Sequence, residues 1–292
     1  MQTYQFEKVF SENSCQLQVW QSVRPLLDYA QNQTLLAYGH TGSGKTYTIF
    51  GKNWEKLAFS QFFEEDFSQE LQSQDSQVGL CLRIIHDILS KHPDAELTCS
   101  FFQIYNEKII DLLSNDNSND LVVKQHPVEG AIIDGLCQFK VVSVFDAVCI
   151  LAKGYAKKKV RETSSNAHSS RSHTIVTFST APGVSLRICD LAGSERFQTQ
   201  GLQSKAHLSE MVNINKSLST LNKVIFQLGS QSYSHIHFRE SKLTRVLQAG
   251  LQGSMPIVLI GTIDPTAYYL LDIVKASRIQ PVRSNFVARH LG

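Results

Sequence analysis

The segment from Gly39 to Thr46 reads GHTGSGKT and has the residue types and spacing of a loop that binds phosphate groups. It follows the apolar run 34–38 and precedes a stretch that can open a helix. The loop amides would surround the phosphates, Lys45 would reach the outer phosphates, and the Thr46 hydroxyl would bind Mg²⁺. A glycine-rich turn without this chemistry would also match, but it would need no strand before it. The predicted cofactor-binding residues are Gly39, His40, Thr41, Gly42, Ser43, Gly44, Lys45, Thr46 and Tyr47.

A second segment, 190–196, reads DLAGSER and follows the strand-like run 184–189. Asp190 therefore stands where an apolar strand ends, which is the place for a second carboxylate linked to Mg²⁺. Gly193 leaves a backbone N–H free to approach a terminal phosphate. A strand that ends in an ordinary turn with Asp and Gly explains each residue singly but not the third segment.

The third segment, 166–173, reads NAHSSRSH and is dense in hydroxyl groups and hydrogen-bond donors. The alternating run 174–178 after it predicts a strand. Taken alone, the segment would be a solvated serine-rich loop. His173 is predicted to pack and hydrogen-bond within this region and not to act as a general base.

Together the three segments resemble the phosphate loop, switch I and switch II of the kinesin motor domain. The resemblance extends from about Tyr4 to about Arg283. Other matches in the same order are FEKVF at 6–10, IYNEKIIDLL at 104–113, NINKSLSTL at 213–221 and HIHFRESKLTR at 235–245.

The resemblance implies an α/β fold, a P-loop NTPase of the kinesin-motor type, with a central mixed β-sheet and helices on both faces. It places the motor domain at 1–283 and a short neck-like tail at 284–292. The usual first strand, which carries an adenine contact in the family, has no counterpart here, and Arg24-Pro25 lies in a later helical region. ATP would then be held mainly by its phosphates.

Hydrophobic patterning adds elements that position these segments. The run 97–105 predicts a buried central strand, and 255–263 predicts another whose ladder starts after Pro256. Apolar residues within 212–228 recur with helical spacing. The polar segment 50–78 is predicted to be a solvated connection, and 115–120 a loop.

The resemblance also implies roles for individual side chains in ATP hydrolysis. Thr46 and Ser170 would ligate Mg²⁺, with Asp190 holding a metal-bound water, and Asn166 and Ser169 would bracket the γ-phosphate and the attacking water. Arg171 and Glu195 would form a salt bridge when the switches close. Gly193 would sense the γ-phosphate, a helix starting near His207 would shift, and the segment from Arg278 to His290 would dock or release.

The predicted partner is the microtubule, bound through Arg239, Lys242 and Arg245 on one solvent-facing side of a helix. These charges would otherwise be an ordinary solvated face. Net charge is only +2, and 198–203 contains glutamines where kinesins often have basic residues. The run Lys157–Lys159 suggests a solvated corner, with at most Lys158 near the nucleotide, and no RNA- or DNA-binding module accompanies it.

Composition fits one large domain, with 292 residues of which 42% are hydrophobic and 18% charged. No apolar run is long enough to span a bilayer and no signal-peptide pattern is present, so we expect a soluble protein of the cytoplasm and cytoskeleton, the spindle included, without a membrane partner. The six cysteines have no zinc or redox spacing and are predicted to be reduced.

Two functions stay open: a microtubule-stimulated ATPase motor, or a degenerate kinesin-fold binding module. A general P-loop GTPase or ATPase leaves 239–245 unexplained.

Overall fold

The computed structural model describes residues 7–59, 64–116, 121–126, 130–164, 171–180, 183–195, 205–228, 236–263 and 284–290. Within these ranges the strands are β1 Lys8–Phe10, β2 Gln33–Tyr38, β3 Leu97–Tyr105, β4 Lys108–Asp111, β5 Val123–His126, β6 Gly130–Ile133, β7 Phe139–Val141, β8 His173–Thr180, β9 Val184–Asp190, β10 Ile257–Ile263 and β11 Ser284–His290. The α-helices are α1 Gln16–Val23, α2 Lys45–Phe50, α3 Glu64–Gln72, α4 Leu80–Lys91, α5 Val144–Ser164, α6 Lys205–Leu228, α7 Lys242–Val246 and α8 Gln248–Leu251. Short 3₁₀ turns span Arg24–Leu26, Trp54–Phe59 and Phe238–Glu240.

The described strands form one large mixed sheet and one small hairpin. The large sheet has the order β1-β11-β10-β2-β9-β8-β3-β4, and β7 also pairs with β3. Strands from β1 to β9 in this order are parallel, whereas β8, β3, β4 and β7 pair antiparallel. The hairpin consists of β5 and β6. This confirms the predicted α/β fold with a central mixed sheet.

Helices cover both faces of the large sheet because its strands alternate their side chains between two cores. On β3, Cys99 and Phe101 face a core shared with α1, α2, α4 and α5. Phe102 and Ile104 face a second core shared with α6, α7 and α8. The sheet is therefore buried on both sides, which explains why its central strands are almost continuously apolar. None of the helices in the described ranges is long and apolar enough to cross a membrane.

The elements predicted from hydrophobic patterning agree with the structure. β3 covers 97–105, and β10 begins at Ile257, directly after Pro256, whose carbonyl still accepts a hydrogen bond from Thr34 N–H at 3.0 Å. Within α6, Leu218, Leu221 and Ile225 are buried in the second core. The predicted loop at 115–120 is described only at its first two residues.

The prediction of a solvated connection at 50–78 is wrong for the part that the structure describes. Trp54, Phe67 and Leu71 are buried in the first core. The Arg83 guanidinium, only 1% exposed, donates to the Leu71 carbonyl at 2.6 Å and the Val78 carbonyl at 2.9 Å. The polar composition of the segment concealed these apolar anchors, which pack because they meet α4 and α5.

The first and the last described strands, β1 and β11, are neighbours in the sheet. β11, assigned from the sequence to a neck-like tail, lies between β10 and β1 and pairs in parallel with both. The neighbouring segment 264–283 lies outside the described residues. Arg24-Pro25 forms a 3₁₀ turn after α1, where Arg24 pairs with Asp87 at 2.7 Å.

None of the six cysteines is paired in a disulfide in the structure, and Cys81, Cys99 and Cys189 are buried. Within the described ranges, no cluster of His, Cys, Asp or Glu has the arrangement of a metal site built from such side chains.

Candidate active site

The phosphate loop lies at the carboxyl end of β2 and turns directly into α2. Gly42 and Gly44 have φ of +82° and +92°, backbone conformations that strongly favour glycine. A Cβ at Gly39 would overlap the Thr262 carbonyl oxygen and its hydroxyl. The loop therefore needs glycine at position 39 to pass close to β10, and glycines at 42 and 44 to adopt its backbone conformation.

Thr262, at the end of β10, is a site residue that sequence reasoning missed. Its hydroxyl lies 2.6 Å from the Ser43 Oγ, and Ser43 also donates to the His40 carbonyl at 2.8 Å. These contacts hold the phosphate loop against the neighbouring strand. Thr262 could have been found from the sequence because it lies at the end of the predicted strand 255–263. Parallel pairing with β2 brings that end to the same sheet edge as the phosphate loop.

Lys45 is folded back across the loop. Its Nζ donates to the carbonyl oxygens of Gly39 at 2.9 Å and His40 at 2.6 Å, and the residue is only 7% exposed. Burial lowers the pKa of Lys45, and the negative charges of Asp190 and Glu195 oppose this shift. The Lys45 ammonium group is therefore enclosed by the carbonyls of its own loop and is not open to solvent.

Thr46 and Asp190, both predicted to hold Mg²⁺, lie in direct contact. The Thr46 hydroxyl donates to Asp190 Oδ2 at 2.6 Å. The other carboxylate oxygen, Oδ1, is buried and accepts no hydrogen bond among the described residues. A buried carboxylate oxygen without a partner is costly unless a cation or water binds it. Because Mg²⁺ prefers oxygen ligands, this hydroxyl and carboxylate fit the metal.

The segment after β9 lies directly on the phosphate loop. Ser194 N–H donates to the Gly39 carbonyl at 3.0 Å. The Glu195 carboxylate accepts hydrogen bonds from the Thr41 N–H at 2.8 Å and from the Thr41 hydroxyl. A Cβ at Gly193 would overlap the Thr41 hydroxyl and the Glu195 carboxylate, so a larger residue there would displace the Thr41–Glu195 contact. The two segments that the sequence separates by about 150 residues thus form one surface.

His173 connects this segment to α6. Its Nδ1 accepts the Ala192 N–H at 3.1 Å, and its Nε2 lies 2.8 Å from the Ser217 Oγ. Because Nδ1 is an acceptor, the neutral ring carries its proton on Nε2 and donates it to Ser217. Burial lowers the pKa of His173 to about 3, and the positive charges of Lys45 and Lys158 add to the shift. The packing role predicted for His173 agrees with these contacts.

This buried histidine should make stability depend on acidity. An unfolded chain protonates the imidazole near pH 6.5, whereas the folded chain resists protonation to about pH 3. The contribution of the neutral His173 ring to the free energy of unfolding is therefore complete above pH 6.5. It is lost as the pH falls from about 6.5 to about 3, by at most about 1.4 kcal/mol per pH unit.

We expect the free energy of unfolding, measured by urea titration between pH 7.5 and 4.5, to fall less steeply in His173→Gln than in the wild type. The exposed His92, changed to Gln, is the matched control and should keep the wild-type slope. An identical slope in His173→Gln and the wild type would contradict the assignment of a buried neutral ring.

The remaining predicted switch residues are only partly described. Arg171 is half-buried two residues before β8, whereas Asn166, Ser169 and Ser170 lie outside the described residues. Tyr47, predicted to bind the nucleotide, is half-buried on α2, and its hydroxyl donates to the Gln77 side chain at 2.7 Å. The His40 ring contacts the neighbouring Thr41 carbonyl.

The three consecutive lysines on α5 do not form a solvated corner. Lys158 is buried and donates to the Thr174 hydroxyl at 2.8 Å. Lys157 donates to the carbonyls of Asp111 and Ser114, and Lys159 pairs with Glu55 at 3.3 Å. In the β8–β9 register Thr174 lies opposite Asp190, which brings the Lys158 partner close to the nucleotide site.

The predicted partner-binding residues do not share one solvent-facing side of a helix. Arg239 is exposed on the 3₁₀ turn Phe238–Glu240, and the extended residue Ser241 separates that turn from α7. Lys242 and Arg245 are half-buried on α7. Their side chains donate to the carbonyl oxygens of Leu121, at 3.3 Å, and Val123. The break at Ser241 changes the direction of the backbone, so sequence spacing alone misplaced these side chains.

The sheet, the glycine loop that opens α2 and the Thr46–Asp190 pair define a P-loop nucleotide-binding protein. The family model "Kinesin motor domain" matches residues 1–276. The chain belongs to the kinesin family.

Individual relatives agree with this assignment. Kinesin-like protein 3 of Schizosaccharomyces pombe is 36% identical, over 94% of this chain and 49% of its own length. Kinesin-like protein KIF11 of Mus musculus is 36% identical, over 92% of this chain and 26% of its own length. A solved structure described as a fast kinesin superposes with a TM-score of 0.80 at 30% identity and covers 97% of this chain and 80% of that one. The chain thus spans half or less of the length of these two sequence relatives.

Proposed function

We propose that this chain is a motor domain that hydrolyses ATP in the presence of Mg²⁺ and couples hydrolysis to microtubule binding. The observation that carries the proposal is a continuous path from the phosphate loop to an exposed basic face. Glu195 contacts Thr41 on the loop, and Ala192 contacts His173. His173 in turn contacts Ser217 on α6, the helix whose exposed residues include Lys216 and Lys223.

Hydrolysis would depend mainly on charge neutralisation and positioning, because phosphoryl transfer to water needs little covalent help. The loop amides and Lys45 would neutralise the phosphates, and Asn166 and Ser169 would position the attacking water. Mg²⁺, held by Thr46, Ser170 and, through water, Asp190, would supply further charge neutralisation.

Closure of the site would be carried by Arg171 and Glu195. The Glu195 carboxylate contacts Thr41, and pairing with Arg171 requires it to leave that position or to share it. Gly193 lies along the chain between Asp190 and Glu195, so a γ-phosphate contact at its N–H would shift this segment. The shift would reach α6 through the Ala192–His173–Ser217 hydrogen bonds.

The proposed track-binding face consists of the exposed stripe of α6 and the neighbouring 3₁₀ turn. The stripe recurs with helical spacing and comprises Lys216, Ser219, Lys223 and Phe226. Lys223 pairs with Glu240 at 2.7 Å, which joins the stripe to the turn that bears Arg239. Tubulin is acidic, so an exposed basic surface fits it as a partner. Here Lys216 and Lys223 lie on α6, the helix that hydrogen bonds connect to the nucleotide site. A location on the cytoskeleton follows from this proposal.

We expect microtubule affinity to depend on these exposed basic side chains. The double variant Lys216→Ala/Arg239→Ala should bind several-fold more weakly than the wild type and should lose less affinity as salt rises, because surface charges are screened over about 8 Å at physiological ionic strength. Cosedimentation with microtubules at several salt concentrations, with ADP and with a non-hydrolysable ATP analogue, measures both effects. Lys153→Ala, which removes an exposed lysine on the opposite helix layer, is the control.

The rate of ATP hydrolysis with and without polymerised tubulin tests the motor function itself. Stimulation by tubulin supports a motor. Microtubule binding without stimulation would favour the second candidate, a kinesin-fold binding module with weak or no motor activity. That candidate is favoured by the inward contacts of Lys242 and Arg245, which reduce the charge available to a track. Pelleting in no nucleotide state at low salt would contradict both.

A further inference from the structure

The hairpin that joins β3 to β4 has an unusual turn. Tyr105 pairs with Lys108, which leaves Asn106 and Glu107 as a two-residue loop. Both loop residues have positive φ, 52° for Asn106 and 57° for Glu107. Such a turn matches the twist of the strands, but its second position is normally glycine, and the left-handed region disfavours glutamate. A strained residue in a tight turn points to a use for its side chain.

The Glu107 carboxylate binds the start of α7. Its Oε1 accepts the Ser241 hydroxyl at 3.0 Å, and its Oε2 accepts the Lys242 N–H at 2.9 Å. Ser241 is also the N-cap of α7, because its Oγ accepts the Leu243 N–H at 3.1 Å. One side chain at the edge of the large sheet thus completes the capping of a helix that is distant in sequence.

The same helix start fixes the turn that carries Arg239. The Thr244 hydroxyl donates to the Phe238 carbonyl at 2.7 Å and to the Ser241 carbonyl at 3.0 Å. The turn Phe238–Glu240 and α7 are therefore tied together on both sides of Ser241. Because Glu107 holds Ser241, the orientation of Arg239 relative to the large sheet depends on the β3–β4 hairpin.

We propose that Glu107 is a positioning residue for the track-binding face, which it holds by capping α7 from the tip of the β3–β4 hairpin. This inference rests on the proposed microtubule binding. Glu107 lies in the tight turn between β3 and β4, two paired strands of the large sheet, whereas Arg239 lies on a short 3₁₀ turn. The carboxylate fixes the turn to the sheet. Arg239 is therefore already positioned when the partner binds, and no conformational entropy has to be lost to order it.

Two glycine substitutions in the same turn separate the carboxylate from the backbone strain. Glu107→Gly relieves the strain but removes the cap, and Asn106→Gly keeps the cap. We expect Glu107→Gly to bind microtubules about three- to tenfold more weakly, the size of effect typical for loss of a helix cap. Its Tm should stay close to the wild-type value, because relief of strain offsets the lost hydrogen bonds. Asn106→Gly should bind like the wild type, and both variants should keep the basal rate of nucleotide hydrolysis.

Glu107→Gln provides a conservative variant, since its amide oxygen can still accept the Lys242 N–H, and its affinity should lie between the wild type and Glu107→Gly. The assays are cosedimentation with microtubules, thermal unfolding and hydrolysis without tubulin. Equal affinity of the wild type, Glu107→Gln and Glu107→Gly would overturn the positioning role while leaving the proposed function intact. Failure of the wild type itself to pellet would instead overturn the proposed function.

Discussion

Changing Lys45 to alanine should lower the rate of nucleotide hydrolysis by roughly 10²–10³-fold, the effect seen when one preorganised charge-stabilising donor is removed from an active site. Lys45 Nζ lies among the carbonyls of the phosphate loop and is desolvated. In such an environment a positive charge acts on a phosphate more strongly than it would in water. Hydrolysis measured at saturating nucleotide is the assay.

The alanine variant also removes two hydrogen bonds inside the loop, so its folding must be measured beside its activity. Lys45→Met keeps the length of the side chain without the charge and should be equally inactive while retaining more of the packing. Lys52→Ala, an exposed lysine shortly after α2, is the control and should hydrolyse nucleotide at the wild-type rate. A folded Lys45→Met protein with unchanged turnover would show that the active site lies elsewhere.

Changing Glu195 to alanine should slow hydrolysis by about 10²-fold or more while leaving nucleotide affinity nearly unchanged. The physical reason is that the proposed pair with Arg171 forms only as the site closes, so its loss raises the barrier without weakening the ground-state complex. Single-turnover hydrolysis and equilibrium nucleotide binding separate these two quantities. A variant that loses binding but keeps its single-turnover rate would contradict this mechanism.

Two further variants separate the proposed Arg171 pair from the observed Thr41 contact. Glu195→Gln can still accept the Thr41 N–H but cannot form an ion pair, so its hydrolysis should fall nearly as far as in the alanine variant. Thr41→Val removes only the hydroxyl contact and should have the smaller effect. Reversing both charges, with Arg171→Glu and Glu195→Arg, should restore part of the activity if charge pairing is the main role.

The sequence by itself determined the elements whose signals are local. Glycines at required backbone conformations, as at Gly42 and Gly44, marked the phosphate loop, because few other residues adopt those dihedral angles readily. Continuous apolar runs marked β3 and β10, because strands covered on both faces admit few polar side chains. The sequence also placed Thr46 in the phosphate loop and Asp190 at the end of an apolar strand, and the parallel pairing of β2 with β9 brings the two together.

Only the tertiary structure decided where side chains without a local rule would lie. The motif places Lys45 in the phosphate loop, but only the structure shows that the carbonyls of that loop enclose its ammonium group. Trp54 and Phe67 lie in a segment of polar average composition, and only the neighbouring helices offered a core to receive them.

The partner-binding residues show the same limit. Their spacing predicts one helical face only if the helix is continuous, and the extended residue Ser241 interrupts it. Glu107 caps that interruption from another part of the chain. Contacts of this kind join residues more than 100 positions apart, so no periodicity or motif in the sequence encodes them. They depend on the sheet order that brings the β3–β4 hairpin beside α7.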